Sequence, residues 1–169
     1  MSIRFFSKSA FSLIVTTLVI LSAWSCRSTT DINETKSRND TGRVAIFLER
    51  GVCFGRCPVY TLTVYGSGRA VYVGKQNVRF RGTFEKKFDP DLLNEIFELA
   101  SQLGYFEMEH EYRNPHLSDF PTIRSSIDEG SRSNHVLRYT DDPPSNLIKL
   151  EDNIDSLFGP DDSWTQTSE

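Results

Sequence analysis

The chain has few of the residue patterns that mark an enzyme active site. It contains no Gly-x-Ser-x-Gly elbow, no glycine-rich phosphate loop and no His-Glu-x-x-His pair. Its histidines are His110, His116 and His135, and no cofactor is expected. The net charge of -4 argues against nonspecific nucleic-acid binding, because that binding requires a cationic surface. These absences favour a protein that acts by contact over one that acts by catalysis.

The chain also lacks an apolar run long enough to cross a bilayer comfortably. The longest such run covers residues 10–23, whereas a spanning helix needs about 20 apolar residues. Arg4 and Lys8 precede the run and small residues follow it, which is the pattern of a secretory signal peptide. We therefore expect residues 1–25 to be an export signal. Its removal would make the net charge two units more negative.

Cys26 stands directly after this predicted signal. Residues 21–26, Leu-Ser-Ala-Trp-Ser-Cys, resemble a bacterial lipobox, in which the cysteine thiol is acylated and becomes the mature N-terminus. The resemblance implies a lipid anchor on Cys26, with a membrane as partner. Arg27 stands where a retention signal for the inner membrane usually has aspartate, so the outer membrane of a bacterial cell envelope is the expected location. The alternatives are an ordinary secreted protein and an uncleaved anchor.

Three further segments differ in composition. Residues 26–42 are polar, with Ile32 as their one large apolar residue, and we expect a disordered tether because such a segment cannot bury enough surface to fold. Residues 43–158 contain nearly all the remaining large apolar residues and can form one core. Residues 159–169 are polar and are expected to be a flexible tail, except that Trp164 could fold back onto the domain.

The apolar patterns of residues 43–158 predict about six strands and two helices. The predicted strands, which are apolar runs or alternations with period two, cover residues 44–48, 59–65, 70–73, 78–85, 122–127 and 135–139. The first helix is expected to begin with Asp89 as N-cap and Pro90 as first helical residue, and to end at Gly104. The second is expected to begin at 142–144 and to end at Gly159.

This element order predicts an α+β fold. Short turns between successive strands favour a small antiparallel sheet with the order ββββαββα, and two amphipathic helices favour a layer on one face of that sheet.

Cys53 and Cys57 are the cysteines left once Cys26 is acylated. In an oxidising envelope two close cysteines usually pair, and a disulfide needs Cα atoms about 4.4–6.8 Å apart. The intervening chain must therefore turn, and Gly55 gives it the freedom to do so. Other interpretations are thiol–disulfide exchange, a zinc site that takes further ligands from the histidines, and two free thiols.

The cysteine segment resembles a known family. Glu49-Arg50-Gly51-x-Cys53-Phe54-Gly55-x-Cys57-Pro58-x-Tyr60, then Tyr65-Gly66-x-Gly68 and Asp119-x-Pro121-Thr122, are similar to a bacterial domain family of unknown function. That family occurs largely in lipoproteins and other exported proteins of Gram-negative bacteria. The resemblance implies one extracytoplasmic domain over about 43–158, and it implies no activity, ligand or catalytic residue.

A polar loop between the first helix and the fifth predicted strand, residues 107–121, contains a candidate contact site. Its candidate residues are His110, Tyr112, His116 and Asp119. Acid, imidazole and phenol side chains together could transfer a proton or bind a cation. The alternative is a polar surface loop held by its prolines.

These observations lead to two functional hypotheses. The first is an envelope-tethered lipoprotein with a non-catalytic binding or scaffolding domain, whose partner is an envelope protein or a glycan; an inhibitor-like module ranks below it. The second is an extracytoplasmic enzyme, either a thiol oxidoreductase that uses Cys53 and Cys57 or a hydrolase that uses the loop from His110 to Asp119.

Overall fold

The computed structural model describes residues 42–169. The predicted signal peptide, Cys26 and the predicted tether up to residue 41 lie outside the described residues. The elements, in chain order, are β1 (Val44–Arg50), β2 (Val59–Tyr65), β3 (Arg69–Gln76), β4 (Gly82–Lys87), α1 (Leu92–Gln102), a 3₁₀ turn (Tyr105–Glu107), β5 (Glu111–Arg113), β6 (Ile123–Asp128), β7 (Ser133–Tyr139), α2 (Ser145–Phe158) and β8 (Thr165–Ser168). Within this described part, no helix is both long enough and apolar enough to span a membrane.

The eight strands form one open sheet in the order β5-β7-β6-β1-β2-β3-β4-β8. All neighbouring strands are antiparallel except β5 and β7, which are parallel. The class predicted from the sequence, an α+β domain with two helices, is confirmed. The predicted strand number was too low by two.

The core lies on one face of the sheet. Alternate residues of β1 and β2 are buried, among them Leu48 and Leu62, which are fully inaccessible to solvent. The apolar stripes of α1 and α2 join the same cluster, through Ile96 and Ile154 for example. Because side chains of a strand alternate between faces, the other face of the sheet carries the remaining, mostly half-exposed residues. The domain is therefore a sheet with one helical layer.

The two unpredicted strands carry no apolar pattern of their own. β5 (Glu-Tyr-Arg) is three residues long, and its parallel pairing with β7 depends on contacts made elsewhere in the fold. β8 (Thr-Gln-Thr-Ser) is polar and exposed at every position, so the flexible tail expected over 159–169 is corrected for these residues. It lies beside β4 because Trp164, which directly precedes it, is buried in the core.

Several element boundaries also differ from the prediction, among them the starts of α1 and β4. The helix α1 begins at Leu92, two residues after Pro90, with Asp91 and not Asp89 as its N-cap residue; the Asp89 side chain accepts a hydrogen bond from the backbone amide of Asp91. The fourth strand begins at Gly82 and not at Val78, because residues 77–81 form a bend.

Candidate functional site

The Cys53–Cys57 segment forms a covalently closed loop at one end of the sheet. The loop connects Arg50, the last residue of β1, to Val59, the first residue of β2. The predicted disulfide is present, with the two Cα atoms 5.8 Å apart. We use the name "tip" for residues 51–58 together with Phe120.

Three hydrogen bonds, from two sides, fix the tip. The Gly51 amide donates to the Thr122 carbonyl at 2.8 Å, and the Phe54 amide donates to the Asp119 carbonyl at 3.2 Å. On the other side, the Asn77 side-chain amide donates to the Cys57 carbonyl at 3.0 Å. The loop that contains the predicted contact residues therefore supports the tip through its backbone.

Gly51 is required by the close approach of these two loops. A Cβ atom at this position would lie 2.7 Å from the Thr122 carbonyl oxygen, closer than van der Waals contact allows. We expect Gly51→Ala to lower the free energy of unfolding by about 1–3 kcal/mol, as overpacking does elsewhere. Urea denaturation measures the change. Gly42→Ala is the matched control, since nothing lies within 4 Å of a Cβ there; an equal loss in both variants would contradict this role of Gly51.

The tip carries apolar side chains that are exposed to solvent. Phe54 is 88% exposed, Val52 is 64% exposed and Phe120 is 37% exposed. Among residues 42–169, the remaining large apolar residue of this kind is Val44, at 41%. Phe54 therefore presents a large apolar side chain to solvent from a loop that a disulfide and three hydrogen bonds hold in place.

The tip and the first described residues lie at opposite ends of β1. Val44 begins that strand and Arg50 ends it. Since a strand rises about 3.3 Å per residue, roughly 20 Å separate the two ends. The described chain therefore begins far from the tip.

Beneath the tip, Arg50 and Tyr60 form the cross-strand pair that closes the loop. Both side chains bind Asp155 of α2. Arg50 Nη2 lies 2.5 Å from Asp155 Oδ2, and the Tyr60 hydroxyl donates to Asp155 Oδ1 at 2.5 Å. Arg50 Nε also donates to the Tyr60 hydroxyl oxygen at 2.8 Å. This triad joins the base of the loop to the helix.

A second ion pair joins α2 to the same face of the sheet. Arg138 of β7 donates to Glu151 Oε2 at 2.8 Å. The Glu151 side chain is 1% exposed and that of Arg138 is 13% exposed. Glu151 Oε1 has no hydrogen-bond partner among the described residues. Since Glu151 precedes Asp155 by one helical turn, both acids project toward the sheet.

The protonation of these groups favours a structural role. Burial raises the pKa of the Tyr60 hydroxyl well above its ordinary value, and the neighbouring Asp155 carboxylate raises it further. Tyr60 therefore stays neutral near pH 7 and is not a base. Burial also raises the pKa of Glu151, although Arg138 acts in the opposite direction. With 1% of its side chain accessible, Glu151 has no contact with an external substrate.

The predicted contact residues are distributed over several local environments. His110 stacks on His135, with ring centroids 4.4 Å apart, and Tyr112 of β5 packs against the core. His116 is exposed, and its amide binds the Asn114 side chain. Asp119 is exposed and has a positive φ of 72°, and its carbonyl binds the tip. Within residues 42–169, no group of three or more His, Cys, Asp or Glu side chains is arranged to bind a metal ion.

The two cysteines lie between strands. The first turn of a helix, which lowers the pKa of a thiol and favours thiol–disulfide exchange, contains neither Cys53 nor Cys57. The structure instead places them where the bond closes a connection from β1 to β2.

Sequence reasoning missed the residues that hold the tip in place. Arg50 and Tyr60 belong to the cysteine-segment motif described above, but the motif alone assigned no structural role to either residue. Their position on either side of the cysteines was the available signal, because the residues that flank a hairpin loop form its closing pair. Nothing in the sequence pointed to Asp155 or Glu151, which are far from the motif in the chain.

An open eight-stranded sheet, one layer of two helices and a disulfide-closed apolar loop define this molecule as a small α+β domain. The chain belongs to the family described as domain of unknown function DUF6438, whose model matches residues 44–158. The match begins with the first residue of β1 and ends with the last residue of α2. No curated protein matches the chain.

Proposed function

We propose that the protein is a lipoprotein of the bacterial cell envelope whose domain is a non-catalytic binding module, and that the module binds a partner protein through the tip. The anchor is the acylated Cys26, and residues 26–42 connect it to the domain. The observation that carries the proposal is Phe54, 88% exposed on a cross-linked loop.

The energetics of Phe54 support this role. Burial of a phenylalanine side chain contributes about 1.5–3 kcal/mol, and aromatic anchors in well-packed pockets supply much of the affinity of protein interfaces. The loop is already fixed by the disulfide and by its bonds to Thr122, Asp119 and Asn77. Because little freedom remains to be lost on binding, more of that contribution appears as affinity.

The surroundings of the tip suit a protein partner. Beside Val52, on the exposed face of the sheet, lies a depression of about 370 Å³ that Lys75, Arg124 and Glu49 also line. A polar rim around apolar anchors is the usual organisation of a protein interface. The tip lies at the end of β1 opposite Val44, roughly 20 Å from the point where the described chain begins.

The test compares two serine substitutions in cells. Tagged wild-type protein is cross-linked in intact cells and purified, and the bound proteins are identified by mass spectrometry. We expect Phe54→Ser to reduce recovery of a specific partner at least about ten-fold, the effect of removing a central apolar anchor. Val44→Ser, an exposed apolar residue at the other end of β1, is the matched control and is expected to leave recovery unchanged.

Two results would contradict the proposal. One is equal recovery from Phe54→Ser and the wild type, which would exclude the tip as the contact surface. The other is the absence of any specific protein together with retention on envelope glycan, which would favour a glycan ligand. Circular dichroism and the urea midpoint of each variant establish that the fold is intact, as expected for surface substitutions.

A further inference from the structure

Residues 159–169 add a strand to the domain after the family match has ended. The match stops at Phe158, whereas β8 pairs antiparallel with β4 and is the edge of the sheet. Without β8, strand β4 would present a free row of backbone amides and carbonyls, which is a template for another extended segment.

An aromatic pocket next to β4 receives Trp164. The indole packs edge-on against Phe88, with centroids 5.8 Å apart, and against Tyr72, with centroids 6.4 Å apart. Backbone pairing along an edge strand, together with one side chain in a pocket, is the mode in which many domains bind an extended peptide. The segment therefore occupies the β4 edge as a ligand would.

Apart from the buried indole of Trp164, the segment makes mainly surface interactions. All four residues of β8 are exposed, and its pairing with β4 is interrupted by a register shift between Thr83 and Phe84. The ion pairs Arg79–Asp162 and Lys86–Asp161 lie on the surface, where such pairs contribute little. Trp164 Nε1 is buried and has no hydrogen-bond partner among the described residues, which costs stability.

We propose that the β4 edge and its aromatic pocket are a docking site for an extended, tryptophan-containing segment, and that its partner is residues 164–169 of a second copy of this chain. In the paired state each copy donates its β8 to the β4 of the other. The connection after α2, residues 159–163, contains Pro160 and makes no strand or helix, and it is the hinge. Exchange of an identical element in this way needs no new contact, since each interface already exists within one chain. The site is separate from the tip, so the two proposals stand or fall independently.

The test places cysteines at two residues that face each other on β4 and β8. It uses the full chain, in which Cys26→Ser removes the cysteine that would otherwise be acylated. Thr83 faces Ser168 across β4 and β8, and facing residues lie within the distance that a disulfide needs. One version carries Thr83→Cys and another carries Ser168→Cys, with tags of different mass. The two are mixed under mild oxidation, and disulfide-linked dimers are separated on a non-reducing gel.

The matched control is Thr61→Cys mixed with Val73→Cys. These residues face each other across β2 and β3, which are internal strands. A double variant, Thr83→Cys with Ser168→Cys in one chain, is expected to cross-link within the chain when dilute. We expect the β4–β8 mixture to form mixed dimers about ten-fold faster than the control, because local opening of an edge segment costs less than opening of the core.

Three outcomes would overturn the proposal. The first is no mixed dimer at concentrations where the double variant cross-links fully. The second is equal dimer formation in the control mixture, which would mean that whole chains unfold and exchange. The third is a double variant that fails to cross-link, which would contradict the β4–β8 register itself.

Discussion

Asp155→Ala is expected to lower the free energy of unfolding by about 3 kcal/mol, because it removes the carboxylate that holds Arg50 and Tyr60 together. The guanidinium of Arg50 would remain mostly buried beside a tyrosine hydroxyl, with Asp152 at 3.4 Å as its nearest remaining acid. An uncompensated charge in such a place costs far more than the loss of a surface ion pair. Urea denaturation at neutral pH measures the loss. The slope of the free energy of unfolding against urea concentration should be the same as in the wild type.

Asp152→Ala is the matched control for this prediction. Asp152 lies on the same helix and also contacts Arg50, but its side chain is 65% exposed. We expect a loss below about 0.5 kcal/mol, as is usual for exposed pairs. Both substitutions raise helix propensity by the same amount, so the comparison isolates the triad. Equal losses in the two variants, or a loss below about 1 kcal/mol for Asp155→Ala, would show that the triad does not hold the base of the tip.

Glu151→Leu is expected to have a similar or larger effect, a loss of about 3–5 kcal/mol, because it leaves Arg138 buried without its acid. The double variant Glu151→Leu with Arg138→Met removes both charges and keeps apolar volume. Replacing a buried pair with apolar residues is often neutral, so the double variant is expected to recover most of the lost stability. A double variant as unstable as the sum of the two single variants would contradict a direct pairing of these residues.

The stability contributed by Glu151 is expected to depend on pH. Since burial raises its pKa in the folded state, folding favours the protonated carboxyl. That contribution is complete below the pKa of the unfolded chain, about 4.3, and is lost as the pH rises through the raised folded value. Glu151→Gln does not titrate, so the stability of the wild type relative to Glu151→Gln should fall between pH 4 and neutral pH. Unfolding curves across this range measure it, and a rise would contradict the sign.

The parts of the fold that could be predicted are those with a local apolar pattern. The continuous apolar start of β1, the β-branched run of β2 and the stripe of α2 each identified an element near its observed position. The disulfide followed from the spacing of Cys53 and Cys57 and from the turn that Gly55 allows. These features depend on residues that are close together in the chain.

The parts that could not be predicted depend on distant residues. β5 and β8 are polar and exist because β7 and β4 offer them an edge. The triad joins Tyr60 to Asp155, residues separated by almost the whole domain, and neither shows a pattern that reveals the other. The exposure of Phe54 was also hidden, since an aromatic residue between two cysteines is as compatible with a buried loop as with an exposed one.

Position-specific photo-cross-linking tests the central claim most directly. A benzophenone-bearing analogue of phenylalanine replaces Phe54 in one strain and Val44 in another, and both strains are irradiated intact. We expect one discrete covalent adduct with a partner protein from position 54 and none from position 44, because only the first position belongs to the tip. No adduct from position 54, or the same adducts from both positions, would contradict the assignment of the tip as the contact surface.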